Sequence, residues 1–230
     1  MKTRLILVRH AEAEGNANRL FHGWTDSNIT DKGHMQAERL AIRLEKVKID
    51  KIFSSSLKRA VQTAEYVAGV KKLPIIETDV LKEINGGEWE NCSWIDLMKK
   101  WPESYSVWEN KPHLHRMPNG ESMAELFHRI VDILMDIISS NKGKSICAVT
   151  HGTALKALMC HIRGSSLDTM LEVPWYENAS ITIIEYDDRF GRFDIITEGD
   201  YSHLGKELCT IQNQDWWTDI LDRGGGKADG

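Results

Sequence analysis

Two histidines come directly after apolar runs of the kind that form buried strands. Arg9 and His10 follow Leu5-Ile6-Leu7-Val8, and His151 follows Ile146-Cys147-Ala148-Val149-Thr150. In open parallel sheets, ligands bind beyond the carboxyl ends of the strands, where the next loop and helix offer N–H groups to an anion. Arg9 would then hold an anion and His10 would react with it. For this dipeptide alone, a strand-capping arginine beside an incidental histidine is the simpler interpretation.

A second cation and a carboxyl complete the set. The helix predicted after Ser54-Ser55-Ser56, a cluster that would supply its N-cap, carries Arg59 in its first turn and off its apolar stripe. The helix dipole disfavours a cation there by a few tenths to about 1 kcal/mol. A bound anion would account for Arg59, and a solvated arginine is the alternative. With Glu83, which follows the third predicted strand, the set describes a phosphoryl-transfer pocket without a metal.

The elements that would position these residues alternate between strands and amphipathic helices. Strands are predicted at 51–54, 72–78 and 144–150 as well as before Arg9, and helices begin near Thr30, after residue 56, at Ser122 and after Gly152. Residues 180–186 and 193–197 form a hairpin pattern. We therefore predict an α/β fold: a three-layer α/β/α sandwich with a mostly parallel sheet, one antiparallel edge strand and an inserted helical cap.

Residues 1–223 are expected to form a single domain, with the cap at about 84–118 and a flexible tail at 224–230. The cap region contains Trp94, Trp101 and Trp108 with weak periodicity, so it is either a lid or a local packing of tryptophans. Exposed tryptophans there could also serve a homodimer interface. From His203 onward we expect a polar tail.

Composition limits the classes of partner. With 41% hydrophobic and 27% charged residues, the chain is typical of a soluble globular protein. Its net charge of -5 provides no polycationic surface for nucleic acid or an anionic membrane, so an anionic substrate needs locally concentrated positive charge. No signal peptide or membrane span is recognisable, which predicts a cytoplasmic protein. The 4 cysteines lie far apart, so neither a zinc site nor a disulfide framework is indicated.

Five motifs, in order along residues 3–185, resemble the histidine phosphatase superfamily, also called the phosphoglycerate mutase-like family. Each motif alone is weak, but the ordered set is specific. The motifs are Leu7 to Glu12 with Asn16 and the continuation Phe21 to Asp26, Ser54 to Ala64, Leu81 to Glu90, Asn119 to Ser122, and Thr150-His151-Gly152. The resemblance implies a phosphomonoesterase that acts on small phosphorylated metabolites through a phosphohistidine, with no cofactor and no metal.

The resemblance also implies a role for each residue of the set. His10 would attack phosphorus as a neutral imidazole, Arg9 and Arg59 would clamp the nonbridging oxygens, and His151 would stabilise the transition state. Further contacts to phosphate or substrate are implied for Asn16, Gly152, His22 and Gly23.

Glu83 is the implied general acid and, in the second step, the base that activates water. A carboxyl beside a dianionic phosphate favours the protonated form that a leaving oxygen needs. Glu88 and Glu90 are nearby rivals, and motif position alone favours Glu83. His113 and His115 could form a pair of metal ligands. The favoured interpretation is that both histidines are solvated.

One residue departs from the family pattern, since Ala11 occupies the position of an expected glycine. Ala11 could shift the phosphate slightly or be accepted unchanged.

Two alternative functions remain open. A cofactor-dependent phosphoglycerate mutase would share the chemistry, although such enzymes usually carry a longer insertion before the second histidine than the chain allows between Glu83 and His151. A catalytically silent phospho-ligand binding protein is favoured by Ala11 only.

Overall fold

A computed structural model describes residues 1–213 and shows a six-stranded sheet in that range. The strand order is β3-β2-β4-β1-β5-β6. The strands are β1 Lys2–Arg9, β2 Lys51–Ser55, β3 Ile75–Thr78, β4 Ser145–Thr150, β5 Ile181–Asp187 and β6 Arg192–Asp200. Strands β3, β2, β4 and β1 are mutually parallel, whereas β5 runs antiparallel to both of its neighbours. The predicted antiparallel edge is therefore the β5–β6 hairpin.

Helices cover both faces of this sheet. They are α1 Glu14–Ala17, α2 Asp31–Leu44, α3 Lys58–Lys71, α4 Trp94–Lys100, α5 Pro102–Asn110, α6 Met123–Ser139 and α7 Gly152–Ile162. Side chains alternate across β1, so Leu5 and Leu7 join the core beneath α6 and α7, while Ile6 and Val8 join the core beneath α2 and α3. The predicted α/β/α sandwich is confirmed.

The predicted capping box is present at the start of α6. The Ser122 hydroxyl accepts from Glu125 N, and the Glu125 carboxylate accepts from Ser122 N. The prediction of a serine cap on α3 is wrong, because Leu57 is the N-cap and provides no side-chain hydrogen bond. β3 also begins three residues later than predicted, since Lys72 ends α3 in the left-handed conformation with φ 54.

Part of the segment that follows β6, up to residue 211, is packed where a polar tail was expected. Leu204 and Leu208 are buried, and Gln36 Nε2 donates to the Leu208 carbonyl over 2.6 Å. Trp216-Trp217 and the predicted flexible tail at 224–230 lie outside the described residues.

Segment 84–118 contains α4, α5 and short helical turns. Its tryptophans are buried or half-buried, whereas the sequence interpretation allowed for exposed tryptophans that could serve a dimer interface. Phe21 packs edge-on against Trp89, Trp94 and Trp108, with ring centroids 5.6 to 5.8 Å apart. This packing anchors the segment to the loop after β1. Within residues 1–213, no helix combines the length and apolarity that a membrane crossing requires.

Candidate active site

One large cavity, about 900 Å³ in volume, lies beyond the carboxyl ends of β1 and β4. The predicted residues Arg9, His10, Asn16, His22, Arg59, Glu83 and Gly152 all line it. His151 lies directly behind this wall, with its ring centroid 5.1 Å from that of His10. The ends of two neighbouring parallel strands therefore bring the two histidines together, as the sequence predicts.

His10 is buried and its tautomer follows from its hydrogen bond. Nδ1 lies 2.7 Å from the Ala11 carbonyl oxygen, which can only accept, so Nδ1 carries the proton and Nε2 keeps its lone pair. Burial, followed by the charges of Arg59 and Arg9, holds the pKa of His10 well below its ordinary 6.5. His10 is therefore a neutral imidazole at physiological pH, the form that a nucleophile requires.

Arg59 is a buried cation, so the alternative of a solvated arginine is wrong. Its side chain is 1% exposed. Nη1 donates to the Thr25 carbonyl over 2.8 Å, and Nη2 donates to the carbonyls of Gly23 (2.7 Å) and His22 (3.3 Å). Burial lowers the pKa of Arg59 to about 10, so it stays charged at neutral pH. Loop carbonyls thus offset the unfavourable dipole of the α3 N-terminus.

Arg9 lies across the cavity in a similar state. Its Nη1 donates to the Tyr176 carbonyl over 2.5 Å, while its buried Nε has no hydrogen-bond partner among residues 1–213. Neither Arg9 nor Arg59 forms an ion pair with a carboxylate within residues 1–213. Two buried guanidinium groups that form no direct ion pair within residues 1–213 face one cavity, and an anion bound between them would pair with both.

Glu83 is held at the N-terminus of α7. Its Oε2 accepts from Thr153 N over 2.8 Å, and its Oε1 accepts from Ala154 N and Ile84 N. Because His151 provides no side-chain cap, the carboxylate caps this helix from another segment. Thr153 N and Ala154 N are therefore bound by Glu83 and are not free to bind an anion.

The two rival carboxylates lie elsewhere. Glu90 accepts from the backbone N–H groups of Gly23, Trp24, Thr25 and Gly86, so it organises the loop that holds Arg59. Glu88 is exposed and accepts from Asn119 Nδ2. Of the three glutamates, Glu83 alone lines the cavity.

His151 is fully buried and contacts Ser55, a residue that the sequence interpretation assigned to a helix cap. Its Nε2 lies 2.7 Å from Ser55 Oγ, and its Nδ1 is buried with no hydrogen-bond partner in the described part of the chain. Burial, followed by the charge of Arg59, holds the pKa of His151 well below 6.5. Ser55 belongs to the serine cluster that was predicted to cap a helix. Its position at the end of β2 is the sequence feature that could have indicated this contact with His151.

The two predicted substrate contacts differ in position. His22 lines the cavity, with Nδ1 3.2 Å from Ser27 Oγ. Gly23 does not line it, and a Cβ at this position would lie 2.2 Å from the Ile84 carbonyl oxygen. The absence of a side chain at Gly23 therefore lets the Arg59 loop pack closely on the segment that carries Glu83.

Ala11 fits the site without strain. It is not among the residues with positive φ, its side chain is fully buried in the core beneath α2 and α3, and its N–H donates to Thr63 Oγ1 over 2.9 Å. The conformational freedom of glycine is therefore not needed here.

The segment that follows β6 supports the back of the site, which the sequence did not indicate. The buried Glu177 carboxylate accepts from Thr210 N, Ile211 N and Gln212 N over 2.9 to 3.2 Å. Next to it, Asn178 Nδ2 donates to the His10 carbonyl over 2.9 Å. Thr210 and Ile211 also line the cavity.

His113 and His115 do not share a site with carboxylates. His115 is buried rather than solvated, since its Nε2 lies 2.8 Å from Ser104 Oγ and its ring packs 4.9 Å from that of Trp89. No group of three or more His, Cys, Asp or Glu side chains suited to a metal ion occurs in residues 1–213.

Comparison with known proteins gives a consistent result. The model of a family described as "Histidine phosphatase superfamily (branch 1)" matches residues 5–198. Phosphoserine phosphatase 1 of Hydrogenobacter thermophilus is 32% identical over 203 residues, which cover 88% of this chain and 95% of that protein. A 2,3-bisphosphoglycerate-dependent phosphoglycerate mutase of Cytophaga hutchinsonii is 30% identical over 173 residues, which cover 74% and 81%. The solved structure of Bacillus stearothermophilus YhfR superimposes with a TM-score of 0.84 at 36% identity, covering 88% of this chain and 99% of that one.

Proposed function

The chain belongs to the histidine phosphatase superfamily (branch 1), and we propose that it is a phosphomonoesterase that hydrolyses small phosphorylated metabolites through a phosphohistidine at His10. The observation that carries this proposal is the pair of buried guanidinium groups, Arg9 and Arg59, which face the cavity beside a neutral imidazole and have no ion pair within residues 1–213. The cavity is a site of concentrated positive charge in a chain of net charge -5, as an anionic substrate requires.

In the first step, His10 Nε2 attacks phosphorus while the bond from phosphorus to the leaving oxygen breaks. Arg9 and Arg59 hold the nonbridging oxygens, and their forked N–H groups match the geometry of phosphate. Asn16 and Gly152, which line the cavity at the same end, contact the phosphate, and His151 stabilises the charge that develops in the transition state. Glu83 gives a proton to the leaving oxygen, so the alcohol departs neutral.

In the second step, Glu83 takes a proton from water as the water oxygen attacks the phosphohistidine. The nitrogen–phosphorus bond breaks, and Nε2 of His10 regains its lone pair. Within the Glu83 carboxylate, Oε1 accepts two N–H groups and Oε2 accepts one, which leaves Oε2 as the oxygen with room for the proton. The Nδ1 hydrogen bond to Ala11 keeps the ring oriented through both steps.

The guanidinium groups supply the positive charge that a metal ion supplies in other phosphatases, so we propose that activity is independent of added metal and insensitive to chelators. The homodimer stays a prediction from the sequence.

Phosphate release separates this proposal from its two alternatives. The purified chain is incubated with a panel of phosphomonoesters, with and without a chelator, and inorganic phosphate is measured. In parallel, interconversion of 2- and 3-phosphoglycerate is followed with added 2,3-bisphosphoglycerate. We expect phosphate release to dominate. Fast interconversion without release would establish the mutase, and binding of phosphorylated ligands without either reaction would establish the silent protein.

A further inference from the structure

Lys156 is a buried cation on the cavity wall that the reaction described above does not use. Its side chain lines the cavity, although the residue is only 6% exposed. Nζ donates to the Val173 carbonyl over 2.5 Å and lies 4.8 Å from the ring centroid of Trp175. In the part of the chain that the structure describes, Lys156 makes no ion pair with a carboxylate.

Its position places this charge one helix turn from the phosphate end. Gly152 and Lys156 both lie on α7 and both line the cavity, and four residues of helix span about 6 Å. Side chains on a helix lean toward its N-terminus, so the Lys156 side chain lies over the turn that contains Gly152 and Thr153. Lys156 and the guanidinium pair therefore line the same cavity, with Lys156 displaced along it on the side of Trp175.

The known partners of Lys156 do not neutralise its charge. A carbonyl oxygen and an aromatic face attract an ammonium group, but its three donors allow further hydrogen bonds. Burial lowers the pKa of Lys156 to about 8, the direction expected for a cation that lacks a counter-ion. A ligand anion at this point would gain a charge-assisted hydrogen bond in a poorly solvated place.

We propose that Lys156 binds a second anionic group of the substrate, so that the preferred substrates are small phosphomonoesters that carry a carboxylate or second phosphate about one helix turn from the reacting phosphorus. This inference rests on the proposed phosphatase function and adds a specificity-determining residue to it. Trp175 forms the wall against which the ammonium group is held.

A purely structural role makes a different prediction. If Lys156 only ties the Val173–Trp175 segment to α7, its loss would slow turnover of every substrate equally. Lys71 provides a matched control, because its Nζ donates to the carbonyls of Glu45 and Val47, each over 2.6 Å, and it does not line the cavity.

Two pairs of substrates isolate the second anion. In the first, 3-phosphoglycerate is compared with glycerol 3-phosphate, which has a hydroxymethyl group in place of the carboxylate. In the second, propane-1,3-diol bisphosphate is compared with the monophosphate. The ratio of kcat/KM within each pair is measured for the parent protein and for Lys156→Met, Lys156→Arg and Lys71→Met, together with the melting temperature of each.

We expect at least one ratio to be on the order of 10 to 100 in favour of the substrate that carries the second anionic group in the parent protein, as for a hydrogen bond to a charged group. This ratio should fall to about 1 in Lys156→Met, mainly through KM, and persist in Lys156→Arg and Lys71→Met. The pair that responds identifies whether a carboxylate or a second phosphate is recognised.

Two results would overturn the inference. One is a parent protein in which neither ratio exceeds about 2, and this holds even if Lys156→Met does not fold. The other is a ratio that persists in a folded Lys156→Met variant, either with an equal loss on all four substrates or with no loss. Failure of the phosphatase function is distinct from both, because no phosphate would then be released from any of the four.

Discussion

The two ends of the cavity are built in different ways. The inner end is lined by Arg9, His10, Arg59 and Glu83, with His151 directly behind them. These residues lie at strand ends and helix N-termini, and backbone groups hold the side chains of the four that line the cavity. The outer end, defined by Trp94, Trp108, Lys156, Leu171 and Trp175, belongs largely to segment 84–118 and the irregular chain before β5. A fixed polar end suits one reaction on any phosphomonoester, whereas an aromatic end with a buried lysine suits the choice of substrate.

Loss of the nucleophile should have the largest effect and should not depend on the substrate. We expect His10→Ala to lower kcat by a factor on the order of 10⁴ or more on every phosphomonoester, because the covalent route is removed. His34→Ala serves as the control, since His34 is exposed and bonds to Tyr66 outside the cavity. If the residual activity of His10→Ala varied strongly with the leaving group, the inner end would not act on all substrates alike, and the two ends would not have separate roles.

Replacing the forked guanidinium group of Arg59 should have the next largest effect. Arg59→Lys keeps a positive charge but loses the paired donors, so kcat/KM should fall about 100-fold on all substrates. Arg43→Lys, which alters a surface pair with Asp200, provides the control. Since Arg59 also binds three loop carbonyls, the melting temperature is measured alongside. A loss confined to one substrate would assign Arg59 to specificity instead.

Acidic pH should leave the inner end active. An imidazole with the ordinary pKa of 6.5 is about nine-tenths protonated at pH 5.5 and would lose about tenfold in rate. Because the pKa of His10 is held well below 6.5, the neutral nucleophile persists as pH falls, and kcat/KM at pH 5.5 should stay within about threefold of its value at pH 7. The comparison is made after correction for ionisation of the substrate phosphate, whose second pKa is about 6. A tenfold loss that tracks a pKa near 6.5 would contradict this assignment.

A change at the outer end should be smaller and selective. Leu171 lines the cavity but is 54% exposed, so Leu171→Ala should preserve folding and raise KM about threefold for substrates with an apolar tail, through lost apolar contact. Substrates with short tails should be unaffected, and so should every substrate in Ile42→Ala, an exposed control on α2. An equal change in kcat for all substrates would show that the two ends are not separable.

Restoring the expected glycine should have the smallest catalytic effect. Ala11→Gly should change kcat/KM by no more than about twofold, because the backbone at Ala11 does not adopt the positive φ that only glycine tolerates well. Stability should fall by about 1 kcal/mol, since glycine gains conformational entropy in the unfolded chain and the buried methyl group is lost. A rise in kcat/KM of tenfold or more would show that the alanine displaces the phosphate.

The residues of the inner end could be predicted from the sequence because they stand at regular positions in the predicted elements. Arg9 and His10 end an apolar run, His151 ends another, and parallel pairing of β1 with β4 brings them together. Arg59 was recognisable as a cation in the wrong part of a helix. The contacts that hold these residues, such as Ser55 on His151, join segments far apart in the chain, and no local pattern reports such pairings.

The outer end could not be predicted for the same physical reason. Lys156 resembles an ordinary residue of an amphipathic helix, and only the fold of Val173–Trp175 back onto α7 buries it at the cavity. The residues after His203 look polar, yet Thr210 and Ile211 reach the cavity because Glu177 binds their N–H groups. The composition of this segment predicts a solvated tail, but hydrogen bonds to a distant part of the chain hold it against the site.

Direct detection of the phosphorylated residue tests the central claim. The protein is mixed with a phosphomonoester carrying labelled phosphate, quenched in alkali within milliseconds, digested and mapped by mass spectrometry. The account predicts acid-labile, alkali-stable phosphate on the peptide that contains His10, and no label in His10→Ala. Label on another residue, or His10→Ala labelled as fully as the parent protein, would contradict it.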